Sequence, residues 1–188
     1  VDALGLKAGN YTLKVVPVKN GAEVTADAVT SSTLTVKNFN RSGYAHHNAE
    51  AGVGAYNDDG TLKSGARVLY VTGNTAKTVT IDMKKDKGNS VSLTGLQSIL
   101  GAYEKGTETR PLAIRIIGTI KKDDMDALGS SAIGLQVKGK TQQMNLTIEG
   151  VGNDATLYGF GILARNCRYV EFRNLAVMLH PEDGISFD

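Results

Sequence analysis

The chain has 188 residues, 41% of them apolar, which is enough for a packed core and excludes a disordered polymer. Its 21 basic and 19 acidic residues leave a net charge of +2 with no basic stripe, so a nucleic-acid partner is not expected, and no run of about 18 apolar residues marks a membrane span. Gly is frequent at 22, Pro rare at 3 and Trp absent, a profile of many tight turns rather than of a helical bundle.

Residues 1–37 read as β. Tyr11, Leu13 and Val15 alternate with Thr12 and Lys14, the period of a half-buried strand. Asn20-Gly21 is a hairpin turn signal, and Val29 to Val36, rich in Val and Thr, reads as a second strand. Leu6-Lys7-Ala8-Gly9-Asn10-Tyr11 has the spacing of a tyrosine corner, in which a Tyr hydroxyl bonds back to the backbone a few residues earlier. On that motif the segment resembles the last two strands of a fibronectin type III module. Two strands alone are marginal in water, so they are expected to pack on upstream strands or on the downstream part of the chain. The first residue falls inside a strand-like pattern with no basic-then-apolar leader, and the N-terminus is read as processed or truncated.

Residues 38–64 read as linker, with turn signals at Asn40-Arg41-Ser42-Gly43 and Asn57-Asp58-Asp59-Gly60. His46 and His47 are adjacent without further ligands nearby, which predicts solvated surface rather than a metal site. Short strands come next, at Val68–Thr72 and Val79–Met83. One helix is then predicted over 94–105. Thr94 and Gln97 match a capping box, Leu96, Ile99, Leu100 and Tyr103 share one face, and Gly106 is the stop.

From Leu112-Ala113-Ile114-Arg115-Ile116-Ile117-Gly118 onward the chain repeats. Gly134-Leu135, Gly161-Ile162 and Gly184-Ile185 open similar segments at spacings of 27 and 23. Asn145-Leu146-Thr147-Ile148 and Tyr169-Val170-Glu171-Phe172 alternate with them, 24 apart. A period in the low twenties, with glycine turns and no intervening helix, predicts a parallel β-solenoid, and the helix at 94–105 is placed to cover its first coil. Cys167 is the only cysteine, so no intrachain disulfide forms, and a buried inert thiol is expected.

The run Asn145-Leu146-Thr147-Ile148-Glu149-Gly150 through Gly159-Phe160-Gly161-Ile162, the run Asn166 to Leu175 with its Val170-Glu171-Phe172-Arg173-Asn174-Leu175 strand, and Gly95–Leu100 followed by Pro111–Ile120 together resemble the pectate lyase family, over about residues 65–188. The resemblance implies an all-β right-handed parallel β-helix with an N-terminal capping helix. It also implies a secreted, extracellular enzyme that binds pectate (polygalacturonate) and cleaves it by calcium-dependent β-elimination. Abstraction of the C5 proton needs a base within hydrogen-bond reach and a cation to stabilise charge on the uronate carboxylate.

By this likeness Asp183 takes the place of a calcium-ligating Asp, Glu182 is beside it, and Pro181 stands where the family often has a further Asp. Pro-Glu-Asp-Gly is also good turn chemistry. No catalytic residue is assigned within the chain: the arginine base is expected on coils beyond Asp188, in a second chain or chain segment. Arg115 and Asp188 are read as structural, and Arg173 and Asn174 as turn residues. Two other readings stand beside this one: a non-catalytic carbohydrate-binding β-helix, and a pectin lyase that works without calcium.

Overall fold

The computed structural model describes residues 2–38, 46, 52–85, 87, 89–128 and 134–188. His47 and the turn expected at 40–43 lie outside the described residues. The fold is mostly β with parallel sheets. No helix among the described residues is long and apolar enough to cross a membrane.

Residues 2–38 form an antiparallel ribbon of six short strands, β1 (Gly9–Tyr11), β2 (Lys14–Val15), β3 (Val18–Lys19), β4 (Ala22–Glu23), β5 (Val29–Thr30) and β6 (Leu34–Val36). They pair β1 with β6, β2 with β5 and β3 with β4. Asn20 and Gly21, at φ 53° and 79°, make the tight turn between β3 and β4. The Tyr11 hydroxyl donates to the Lys7 carbonyl at 2.7 Å, as the corner spacing predicts. The single strand expected over 29–36 is two, interrupted where the Ser31 hydroxyl accepts the Leu13 N–H at 2.9 Å. No residue of the ribbon is fully buried.

The body begins with β7 (Arg67–Val71) and a hairpin of β8 (Thr80–Lys84) and β9 (Ser90–Thr94). Strand β9 was not expected from the sequence, although Val91 and Leu93 alternate with Ser90, Ser92 and Thr94 in the period of a half-buried strand. After α1 (Leu96–Gly101) come β10 (Leu112–Lys121), β11 (Gly134–Lys138), β12 (Gln143–Tyr158), β13 (Gly161–Arg165), β14 (Arg168–Arg173), β15 (Ala176–Met178) and β16 (Ile185–Phe187).

These strands pair in parallel as three ladders. The first runs β7, β10, β12, β14. The second joins the C-terminal parts of β10 and β12 to β15. The third runs β11, β13, β16. Gly118, at φ 66°, sits at the register shift that lets β10 leave the first ladder and enter the second. The inward side chains stack from pass to pass: Leu112 on Leu146 on Val170, Ile114 on Ile148 on Phe172, and Leu135 on Ile162 on Ile185. Most of them are fully buried and belong to one apolar cluster. Each such side chain contributes about 1.5–3 kcal/mol by leaving water.

Helix α1 packs against β11 and the β8–β9 hairpin, and its apolar side chains join the same cluster. Leu96, Ile99, Leu100 and Tyr103 are fully buried, as their spacing predicts. The Gln97 side chain imitates one more strand. Its amide donates to the Gln136 carbonyl at 3.0 Å and accepts the Gln136 N–H at 2.8 Å, so it satisfies the free edge of β11.

The expected capping box is not formed. Gly95 is the N-cap and Thr94 lies in β9, bonded to the Thr80 hydroxyl. The cap comes from far along the chain, where Asp126 accepts the backbone N–H groups of Gln97 and Ser98 at 2.9 and 3.0 Å. Asp126→Ala is therefore expected to cost about 1–2 kcal/mol in urea unfolding. Thr94→Ala should have the smaller effect of the two. The reverse ranking would return the cap to Thr94.

The outward face of the first ladder is roofed by residues 52–62. This segment is not the solvated linker that its glycines suggest, because Val53, Ala55 and Tyr56 are buried. Beneath the roof Glu149 lies between Arg115 and Arg173 on neighbouring strands. Arg115 Nε donates to Glu149 Oε1 at 3.0 Å and Arg173 Nε to Oε2 at 2.8 Å. Arg115 also reaches the Tyr70 hydroxyl at 2.8 Å, and the Tyr56 hydroxyl donates to Glu149. Burial, and next the bond to Glu149, push the Tyr56 phenol above its ordinary pKa, so it stays a donor. Arg115 is thus structural, as expected. Arg173 ends a strand instead of lying in a turn. Asn174, at φ 51°, donates to the carbonyls of Gly150 and Gly152 on the preceding pass.

Candidate functional site

The third ladder has an open outward face. Along β11, β13 and β16 the buried Leu135, Val137, Ile162 and Ala164 alternate with outward residues, the period of a strand covered on one side. Gly134 is in register with Gly161, and the Gly184 carbonyl accepts the Ile162 N–H at 2.9 Å, so the three repeat-opening glycines succeed one another across the ladder. Beside them run Gln136, Leu163 and Ser186, and then Lys138 and Arg165 with Asp188 on the next pass. Glycines at the first of these positions keep the floor low. A cavity of about 280 Å³ lies over it, lined by Gly134, Gly161, Arg165, Glu182, Asp183 and Asp188 among others.

Glu182 and Asp183, the two residues expected to hold a metal, are brought together on this cavity, in the exposed turn that precedes β16. His180 shapes the turn, with Nδ1 2.9 Å from the Glu182 carbonyl. Asp188 reaches the same cavity, but Arg165 holds its carboxylate through Nε at 3.1 Å. Among the described residues no group of three His, Cys, Asp or Glu side chains is gathered as a metal cage. Calcium takes six to eight oxygens. The donors here are hard oxygens of the right kind, Glu182 and Asp183 with the Ser186 hydroxyl nearby, and they supply only part of such a shell.

The charge on the lining is uneven, with three carboxylates against one guanidinium. Without a cation this surface repels an acidic ligand. With a divalent ion at Glu182 and Asp183 the lining becomes neutral, and Arg165 is then the group that a carboxylate meets.

The chain matches no protein-family model, no curated protein and no solved structure. The site therefore stands on its own residues. Arg165 is the lining residue to which the sequence analysis gave no role. Its signal was present: Arg165 precedes Asp188 by 23 residues, the spacing of Gly161 and Gly184, so opposite charges were due to meet across adjacent passes.

Two other expected positions fall elsewhere. Cys167 is half-buried. Burial raises its thiol above the ordinary value, and the thiol donates to the Val137 carbonyl at 3.0 Å, an inert arrangement. His46 is not solvated surface but half-buried, lining an apolar groove with Val170, Phe172, Ile185 and Phe187.

Proposed function

We propose that the chain carries the first coils of a right-handed parallel β-helix of the pectate lyase type, preceded by fibronectin type III-like strands, and that it serves secreted, calcium-dependent cleavage of pectate. The observation that carries this reading is the cavity on the third ladder. There a glycine floor, the carboxylates of Glu182 and Asp183 and an arginine meet on one face. The solenoid is supported by the stacking of Leu112, Leu146 and Val170 and of Leu135, Ile162 and Ile185 in fixed register.

In this reading Glu182 and Asp183 hold the calcium ion, and further ligands come from later coils. Bound calcium supplies charge withdrawal at the uronate carboxylate, which eases loss of the C5 proton. The chain's own part is to bind and orient: Asp183 and Glu182 fix the cation, the flat floor seats the sugar, and Arg165 faces its acid group. The arginine base belongs to coils after Asp188, in a second chain or chain segment. The open edges of β14 and β16, with Ile185 and Phe187 exposed, suit the addition of such coils.

The test has two readouts on the protein assembled with those coils. Millimolar calcium is expected to raise its Tm, and saturation at about 100 times Kd corresponds to about 2.7 kcal/mol. Asp183→Asn should abolish most of that rise. Pectate should yield the ultraviolet absorbance of an unsaturated uronate in calcium and none after chelation. A calcium response with no absorbance favours the non-catalytic binding reading. Absorbance that survives chelation favours pectin lyase chemistry.

A further inference from the structure

The chain reaches the ribbon by crossing the roof. Leu4, Gly5 and Leu6 are half-buried between the exposed Ala3 and Lys7. Gly5, at φ 82°, passes close enough that an added methyl would lie 3.4 Å from Leu62, 3.6 Å from the Tyr56 ring and 3.7 Å from Arg115 Nη2. The buried ion cluster of the first ladder is therefore covered twice, by the roof and by this strap over it. The other end of the ribbon comes to the same place. Val36 and Lys37 line, with Leu4 and Leu6, a cavity of about 370 Å³ that also reaches Glu149 and Arg173. Both feet of the ribbon thus stand on the outward face of the first ladder.

Packing holds the strap there. Among the described residues no backbone–backbone hydrogen bond joins residues 2–8 to the body. The Lys7–Asp59 ion pair spans 4.0 Å and is exposed, where such pairs contribute little. The strap's anchor lies instead in the ribbon, where the Tyr11 hydroxyl bonds to the Lys7 carbonyl and fixes the backbone just past Leu6. An element with few apolar contacts and no backbone pairing opens at low cost unless something else sets its course. Here the tyrosine corner sets it.

We propose that residues 3–6 are a clasp that couples the ribbon to the roof: the tyrosine corner holds the strap, the strap holds the roof, and the roof keeps water from Arg115 and Glu149. The ribbon is then a fixed part of the molecule rather than a tethered one, and loosening it opens the ion cluster. The coupling holds whether or not the third ladder binds pectate.

The experiment uses the full chain. A carbodiimide joins amines to carboxylates in direct contact, and mass spectrometry of the digest is expected to find Lys7 joined to Asp59. Amide hydrogen exchange over residues 53–62 is then compared between variants. Leu4→Ser combined with Leu6→Ser should quicken it about 10-fold, through the loss of two partly buried leucines. Tyr11→Phe should quicken it about 3- to 10-fold and lower the yield of the cross-link, although the substitution lies in β1. Val18→Ser, an exposed position in β3, is the control and should leave both readouts unchanged. All these side chains are half-buried or exposed, so the variants remain folded, and an unchanged circular dichroism spectrum checks this. If Lys7 and Asp59 do not cross-link, or the double leucine variant exchanges like the unaltered chain, the strap does not hold the roof and the clasp is overturned. If the cross-link forms but Tyr11→Phe changes neither readout, the strap rests on the roof without tying it to the ribbon, and the coupling is overturned as well.

Discussion

Glu149→Ala is expected to lower unfolding stability by about 3 kcal/mol, read from the urea midpoint at unchanged slope. Glu149 bridges two guanidinium groups, with its side chain 2% exposed, against 7% for Arg115 and 26% for Arg173, which also lies 3.7 Å from Glu171. Removing it leaves Arg115 as a buried cation facing a second cation, with only the Tyr70 and Tyr56 hydroxyls to accept from it. Loss of one partner from a buried pair costs about 3–5 kcal/mol, and the lower end applies because water reaches part of Arg173. The roof over the first ladder should loosen as well, since Tyr56 loses its acceptor while Arg173 sits over its ring. Exchange of backbone amide hydrogens in residues 52–62 should quicken in the variant more than in the third ladder. A stability change under 1 kcal/mol would mean that solvent screens the cluster far better than its burial implies.

That cluster also marks how far the sequence could be read. The inward columns were legible, because Leu146 and Val170 stand 24 residues apart and Gly134 and Gly161 stand 27 apart, and both intervals reappear as strand register. The apolar face of α1 was legible for the same reason, since the 3.6-residue period depends on neighbours in the chain. What escaped depends on partners that are distant in sequence. The cap on α1 comes from Asp126, 29 residues beyond Gln97, and overrides the local Thr94–Gln97 pattern. The roof segment looked like a linker because glycine and Asn-Asp-Asp-Gly dominate it, yet the fully buried Tyr56 anchors it to Glu149, 93 residues away. For the candidate site, the acidic turn was visible as Glu182-Asp183. The arginine facing it was not, because charge pairing across passes needs a register before it means anything.

Gly161→Ala should be the most damaging small substitution at the candidate site, costing about 3 kcal/mol and removing most of any calcium response in the same variant. A methyl group at Gly161 would overlap the carbonyl oxygen of Asp183 and lie 2.8 Å from that of Gly184. Both obstacles are backbone, so no side-chain rotation relieves them. The next pass must lift off the ladder, breaking the bond from the Ile162 N–H to the Gly184 carbonyl. The turn bearing Glu182 and Asp183 moves with it, so these two carboxylates leave their common face. Gly184→Ala is the control. There the added methyl would meet only the His180 ring, 3.3 Å away, and an exposed side chain can swing aside. Its cost should stay below about 1 kcal/mol, with the calcium response retained. The comparison separates two origins of the repeated glycine. If spacing between passes requires it, Gly161→Ala fails and Gly184→Ala does not. If glycine only signals a turn, both variants behave alike, and the placement of the acidic turn by the ladder beneath it would have to be abandoned.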